Sequence, residues 1–143
     1  MRKLLSLSAI AVLAAAQPAW AEIGRIKSQV GEVVVQRGAS RIATGPGFKL
    51  EQGDVVRTGK TGRVGIAFLD NTRMALGPAS TITLSQFAYD RARQTGSFVT
   101  KVDRGSLGVV SGNIAKSGRD AMRVRTPTSM LGVRGTKFVV EVK

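Results

Sequence analysis

Hydrophobic and polar residues alternate in short runs between residues 53 and 84, and each run ends at glycine, proline or asparagine. In the clearest run, Val64, Ile66 and Phe68 occupy every second position, which places their side chains on one face of an extended strand. Met74 and Leu76 resume the pattern after a turn. Alternation over segments of this length is typical of β-strands buried on one face. We therefore predict several short strands that are connected by tight turns.

Further strands are predicted on both sides of this region by the same reasoning. They lie within residues 32–37, 48–50, 55–56, 81–84, 98–102, 107–110, 122–125 and 137–142. The first of them contains Val33, Val34 and Val35, so both of its faces are apolar and we expect both to be covered. Residues 38–47 and 111–120 are predicted loops, and residues 86–96 fit either a loop or one helical turn.

An all-β fold follows from these patterns. No amphipathic helix pattern of useful length occurs after the N-terminal segment, and the chain contains 17 glycines. Turns recur at intervals of roughly 8–12 residues, a spacing that suits a sandwich, a barrel or a short solenoid. We predict a stack of short strands with tight turns, either solenoid-like or sandwich-like.

Residues 1–21 have the pattern of an export signal. Arg2 and Lys3 precede an apolar stretch, and Ala19-Trp20-Ala21 forms a small-x-small cleavage site. The apolar stretch is shorter than the roughly 20 residues that cross a bilayer, and charges or glycines interrupt every later apolar run. An uncleaved N-terminal anchor is the alternative. We predict cleavage after Ala21 and a periplasmic or secreted domain over residues 22–143, without a transmembrane span.

The absence of cysteine and histidine restricts the chemistry. Disulfides, a thiol nucleophile and imidazole-based catalysis or metal binding are excluded. A two-carboxylate glycosidase satisfies the count of acidic residues. However, Asp54, Asp70, Asp103 and Asp120 lie at predicted turns, where aspartate usually bonds to its own backbone. We therefore predict a protein that is not an enzyme and uses no cofactor or metal.

A strongly positive charge remains after removal of the signal. Without Arg2 and Lys3, the 22 basic residues fall to 20 against nine acidic ones, a net charge of +11. Such a charge attracts polyanions, and in the envelope these are anionic lipids, lipopolysaccharide or cell-wall polymers rather than nucleic acid. It also favours solubility. The candidate binding residues form two groups along the sequence. The first group is Arg91, Arg93, Lys101 and Arg104, and the second is Arg119, Arg123 and Arg125, with Lys116 just before it.

The chain resembles the FecR domain family over nearly all of residues 31–142. The similarity rests on ordered segments: Gly31-Glu32-Val33-Val34-Val35, Gly53-Asp54-Val55-Val56-Arg57-Thr58-Gly59, Ala67-Phe68-Leu69-Asp70-Asn71, Leu76-Gly77-Pro78-Ala79-Ser80, and Val133-Arg134-Gly135-Thr136-Lys137-Phe138. Each segment by itself is typical of strands and turns in general, whereas the order of the segments over a hundred residues is specific to the family. The resemblance implies a small β-domain with a periplasmic role in protein–protein communication.

Family members of the iron-sensing type sit in the inner membrane and pass a signal to a sigma factor. This chain instead carries a cleavable signal and has no segment for a sigma factor, so we do not expect it to perform transmembrane iron signalling alone. Our leading hypothesis is an exported protein-binding or signalling module that engages an envelope protein through a strand edge or a basic face. The alternative is a protein that binds a polyanion, such as an anionic lipid or glycan, through its arginine clusters.

Overall fold

The computed structural model describes residues 21–135 and 137–143. Apart from Ala21, the predicted export signal lies outside these residues. The elements are β1 (Glu22–Val30), β2 (Val33–Arg37), β3 (Ser40–Ala43), β4 (Lys49–Glu51), β5 (Val55–Thr58), β6 (Arg63–Phe68), β7 (Arg73–Leu76), β8 (Thr81–Asp90), β9 (Thr95–Val110), α1 (Asn113–Ser117), β10 (Met122–Arg125), β11 (Met130–Val133) and β12 (Lys137–Val142). The all-β prediction is confirmed. No helix in the described part of the chain has the length and hydrophobicity needed to cross a membrane.

The strands form one curled sheet with two sections that share β9. Section I has the order β4-β1-β6-β7-β9-β12, and section II has the order β3-β2-β5-β8-β9-β10-β11. Residues 95–104 of β9 pair with β8 in section II. Residues 105–110 pair with β12, and most of them also with β7, in section I. Neighbouring strands are antiparallel except β9 and β10, which are parallel.

Strand β9 passes between the sections at Gly105. Its φ angle is +90°, and a Cβ atom there would lie 2.1 Å from the hydroxyl oxygen of Ser80. Glycine alone tolerates both this backbone conformation and this close approach. The sequence predicts two strands, 98–102 and 107–110, divided at residues 103–105. That division is wrong, because strand pairing continues through the bend.

Both sections contribute side chains to a single core. Val64, Ile66 and Phe68 of β6 are 2%, 2% and 5% exposed, which confirms the predicted alternation. The ring of Phe68 in section I lies 4.8 Å from that of Phe98 in section II, measured between centroids. The Phe87 ring lies 4.9 Å from the Phe98 ring. The sections thus enclose the core between them, as the two layers of a sandwich do.

Three segments depart from their predicted conformation. Residues 38–47 contain strand β3, which pairs with β2, so this segment is not only a loop. Residues 86–90 extend β8, and Thr95 begins β9 after a short turn, where a loop or helical turn is predicted. Residues 111–120 contain helix α1. In each case a tertiary partner stabilises a segment whose own sequence has weak strand or helix signals.

Candidate binding surfaces

The Asp54 carboxylate is the centre of a buried ion pair. The Nε and Nη2 atoms of Arg37 donate hydrogen bonds to its two oxygens at 2.9 and 2.8 Å, and the backbone N–H of Glu51 donates a third at 2.9 Å. Asp54 has no exposed surface. The hydrogen bond to Asp54 raises the pKa of the Arg37 guanidinium above its usual value, as does the charge of Asp54. All these contacts lie within the fold, so we assign Asp54 a structural role.

Asp70 joins helix α1 to the turn between β6 and β7. Its side chain accepts hydrogen bonds from the N–H and hydroxyl of Thr72 at 3.1 and 2.7 Å, and from the N–H of Ile114 at 3.2 Å. Its backbone carbonyl accepts a bond from the N–H of Asn113 at 2.8 Å. Aspartate at this position satisfies donors that the turn and the helix leave open. Asp70 therefore also has a structural role.

Other carboxylates are engaged at the surface. They form the pairs Glu22–Arg25, Glu51–Arg37 and Asp103–Lys101. Within residues 21–135 and 137–143, no group of three or more acidic side chains is arranged to hold a metal ion.

The outer face of section II is rich in cations. Arg57 of β5 is flanked in the sheet by Val34 and Thr81, and Thr81 in turn pairs with Arg104 of β9. Lys101 lies in the next row and pairs with Arg125 of β10. We call this surface the basic face and define it by Arg41, Arg57, Lys60, Lys101, Arg104, Arg123 and Arg125. Their strand neighbours Val56, Ile82, Val102 and Val124 are fully buried, so alternation directs the cations outward.

A cavity of about 350 Å³ lies at one end of the basic face. Its charged lining residues are Arg41, Arg57, Lys60, Arg104 and Glu32. None of the four cations forms an ion pair with a carboxylate of the described residues. Their charges are therefore available to a ligand.

Val34 also lines this cavity. It is only half-buried, whereas Val33 and Val35 are 3% and 0% exposed. The expectation that β2 is covered on both faces is therefore wrong. The outer face of β2 is open because none of the described elements packs over section II at this point.

Of the predicted candidates, Lys101, Arg104, Arg123 and Arg125 lie on the basic face. Arg123 is half-buried, and its Nε has no hydrogen-bond acceptor among the described residues, while Arg125 is exposed. Because Arg123 and Arg125 alternate with Met122 and Val124, the sequence predicts that both arginines face water. That prediction holds fully only for Arg125.

The other candidates lie elsewhere. Arg91 and Arg93 are exposed in the turn that joins β8 to β9. This turn is separated from Arg104 by most of a strand, a path of about 30 Å at the usual rise per residue. Arg119 follows α1 and lines a depression together with Lys116 and Arg134. The groups defined along the sequence are therefore divided in space.

Sequence reasoning missed Arg41, Arg57 and Lys60. The sequence does contain a signal for the outward position of Arg57, since it alternates with the buried residues Val56 and Thr58. Arg41 lies in a segment that is predicted as a loop, and Lys60 belongs to a turn. Their convergence depends on pairing between strands that are distant in sequence, so one-dimensional spacing does not reveal it.

A second candidate surface is the open edge between β11 and β12. Among the described strands, β11 pairs only with β10, and β12 pairs only with β9. Leu131 of β11 and Val139 of β12, 44% and 70% exposed, both line a groove of about 530 Å³. Met130 of β11 and Val110 of β9, which pairs with β12, are 47% and 41% exposed. We call this surface the open edge. Its outer backbone groups pair with no other described strand, and its apolar side chains are exposed.

Comparison with known protein families identifies a similarity. The model of the FecR family, described as FecR protein, matches residues 54–143, more than half of the chain. No curated protein and no solved structure matches the chain. The matched region begins at the buried Asp54 and includes most of the basic face and all of the open edge.

Proposed function

Since this chain belongs to the FecR family, we propose that it is an exported, non-catalytic module that binds a protein partner in the cell envelope. The family is associated with the envelope and with signalling, and membership implies partners of that kind. The proposal adds cleavage after Ala21, export of residues 22–143 and the absence of catalysis. It retains the sequence-based expectation that the partner is neither nucleic acid nor a small cofactor.

The observation that carries the proposal is the open edge. Edge strands present unpaired N–H and C=O groups that can accept an additional strand from a partner. Exposed apolar side chains at such an edge supply contact area that a monomer does not use. The groove between β11 and β12 meets both conditions, with Leu131 on one side and Val139 on the other.

Site-specific photocrosslinking in the intact envelope tests this proposal. A crosslinking residue at position 139 should capture one protein. The yield should be nearly the same when irradiation is done at low and at high salt, because strand pairing in an apolar groove is weakly screened. The matched control is position 30, since Val30 of β1 is 64% exposed. Equal capture at positions 139 and 30, or no captured protein, would contradict the proposal.

A second candidate function is polyanion binding, and the basic face favours it. Four of its five strand arginines, all but the half-buried Arg123, are exposed in the described fold. The face carries seven cations, and Asp103 pairs with one of them, Lys101. A field of this sign concentrates anions at the surface. Binding of this kind should fall steeply as salt concentration rises. Sedimentation with vesicles that contain anionic lipid, at low and at high salt, distinguishes it from partner binding at the open edge.

A further inference from the structure

We infer that the cavity among Arg41, Arg57, Lys60 and Arg104 is a specific site for two adjacent phosphate groups on an envelope ligand. The inference rests on the polyanion-binding candidate and narrows it from a charged face to one pocket. Nothing in the sequence alone places these four side chains together.

The charge of the cavity matches this ligand. Four cations and one carboxylate, that of Glu32, line a space of about 350 Å³, so the net charge is +3. A phosphate monoester carries about −1.5 to −2 charges at neutral pH, and two neighbouring phosphates therefore neutralise the site. A carboxylate carries a single charge, and three of them would have to fit into the same space. The charge of the cavity, set against its volume, thus favours phosphate groups over a carboxylate polymer.

The arginines are placed to contact both groups. Arg57 and Arg104 lie on either side of Thr81 in one cross-strand row, and all three residues line the cavity. Their backbones are two strands apart, about 10 Å at the usual strand spacing. The planar guanidinium group can donate two parallel hydrogen bonds to one phosphate, which gives specificity as well as affinity.

The absence of ion pairs supports the same conclusion. None of the four cations is paired with a described carboxylate, so their mutual repulsion opposes the folded state. A bound anion removes that repulsion and binds only the folded protein. Ligand binding should therefore raise the melting temperature in a concentration-dependent way.

Calorimetry on the exported protein tests the site, with inorganic diphosphate as the first probe. Arg57→Gln should weaken diphosphate binding by about tenfold to a hundredfold, the usual effect of losing a charge-assisted contact. The matched control is Arg63→Gln, because Arg63 is exposed on section I and its replacement changes net charge equally. It should leave the affinity nearly unchanged. Lys60→Gln provides a second pocket variant if Arg57→Gln melts at a lower temperature than the parent.

A gain of affinity provides the sharper test. Glu32→Gln removes the negative charge from the pocket and should tighten diphosphate binding severalfold. Glu141→Gln, on the exposed face of β12, raises net charge equally and should have little effect. A damaged fold cannot produce this gain, because partial unfolding lowers the affinity for a ligand of the folded state.

Binding to vesicles of lipid A and of phosphatidylglycerol identifies the source of the phosphates. Binding to lipid A that Arg57→Gln weakens assigns the phosphates to a glycolipid headgroup, whereas binding of diphosphate alone assigns them to a soluble or glycan-borne group. Equal weakening by Arg57→Gln and Arg63→Gln overturns the pocket but leaves general polyanion binding standing. If neither diphosphate nor either vesicle binds, both the pocket and the polyanion-binding candidate fail.

Discussion

Replacing Asp54 by asparagine should destabilise the protein far more than the loss of one surface charge would. Three N–H groups, two from Arg37 and one from Glu51, converge on the two carboxylate oxygens at 2.8 to 2.9 Å. Asparagine has nearly the same volume but only one acceptor oxygen, so at least one donor meets an NH₂ group. Asp54 is fully buried, and water cannot replace the lost acceptor.

The magnitude follows from the burial of the two partners. Breaking a buried ion pair by changing one partner costs about 3–5 kcal/mol. The Arg37 side chain is 33% exposed and can turn partly towards water, which places the expected loss at about 2–4 kcal/mol of unfolding free energy. The comparison is Asp103→Asn. Asp103 pairs with Lys101 at 3.2 Å, but both side chains are exposed by 36% or more, so that loss should be below about 1 kcal/mol.

Urea unfolding of the exported protein, followed by far-ultraviolet circular dichroism, measures both variants. Linear extrapolation gives the free energies if the slopes are unchanged. A double-mutant cycle with Arg37→Met isolates the pair, because Arg37→Met alone leaves Asp54 buried without a counter-charge. The double variant should be more stable than the sum of the single losses indicates. Equal losses for Asp54→Asn and Asp103→Asn would refute the reasoning.

Three further changes test the fold. Phe98→Ala should lower the unfolding free energy by about 3–5 kcal/mol in the same assay, since it removes a fully buried ring from the core. A loss below about 1 kcal/mol would mean that this core is not tightly packed. Gly105→Ala should lower the melting temperature much more than Gly38→Ala. Both glycines have a positive φ, but only at Gly105 would the new methyl group collide with Ser80. Equal shifts in melting temperature would contradict the close packing of the bend. Arg123→Met removes a buried donor without an acceptor, so stability should be unchanged or rise by up to about 1 kcal/mol, and a clear loss would show that this donor is satisfied.

Much of the fold was readable from local pattern. Alternation alone predicts strand β6 with the correct inward residues, Val64, Ile66 and Phe68. The turn at Asp70-Asn71 was also predicted, and Asn71 adopts a positive φ of 69° there. These features depend on the side-chain period of a strand and on the turn preference of asparagine, both of which act over a few residues.

The errors lie where partners distant in sequence decide the conformation. Strand β3 forms because β2 offers it a pairing edge, and helix α1 is tied to Asp70 by hydrogen bonds to Asn113 and Ile114. Neither segment has a strong local preference of its own. The continuity of β9 was missed for a related reason, since Gly105 read as the end of a strand although it is a bend within one.

The candidate binding surfaces were likewise predictable only in part from the sequence. The amino-acid sequence alone provides the net positive charge, the lack of histidine and cysteine, and the outward position of Arg125. It also indicated the family, which the match over residues 54–143 establishes. Which cations are neighbours depends on how the strands are ordered in the folded sheet. Arg57 and Arg104 are 47 positions apart in the chain but face the same cavity, because strand order rather than chain order sets distance across a sheet.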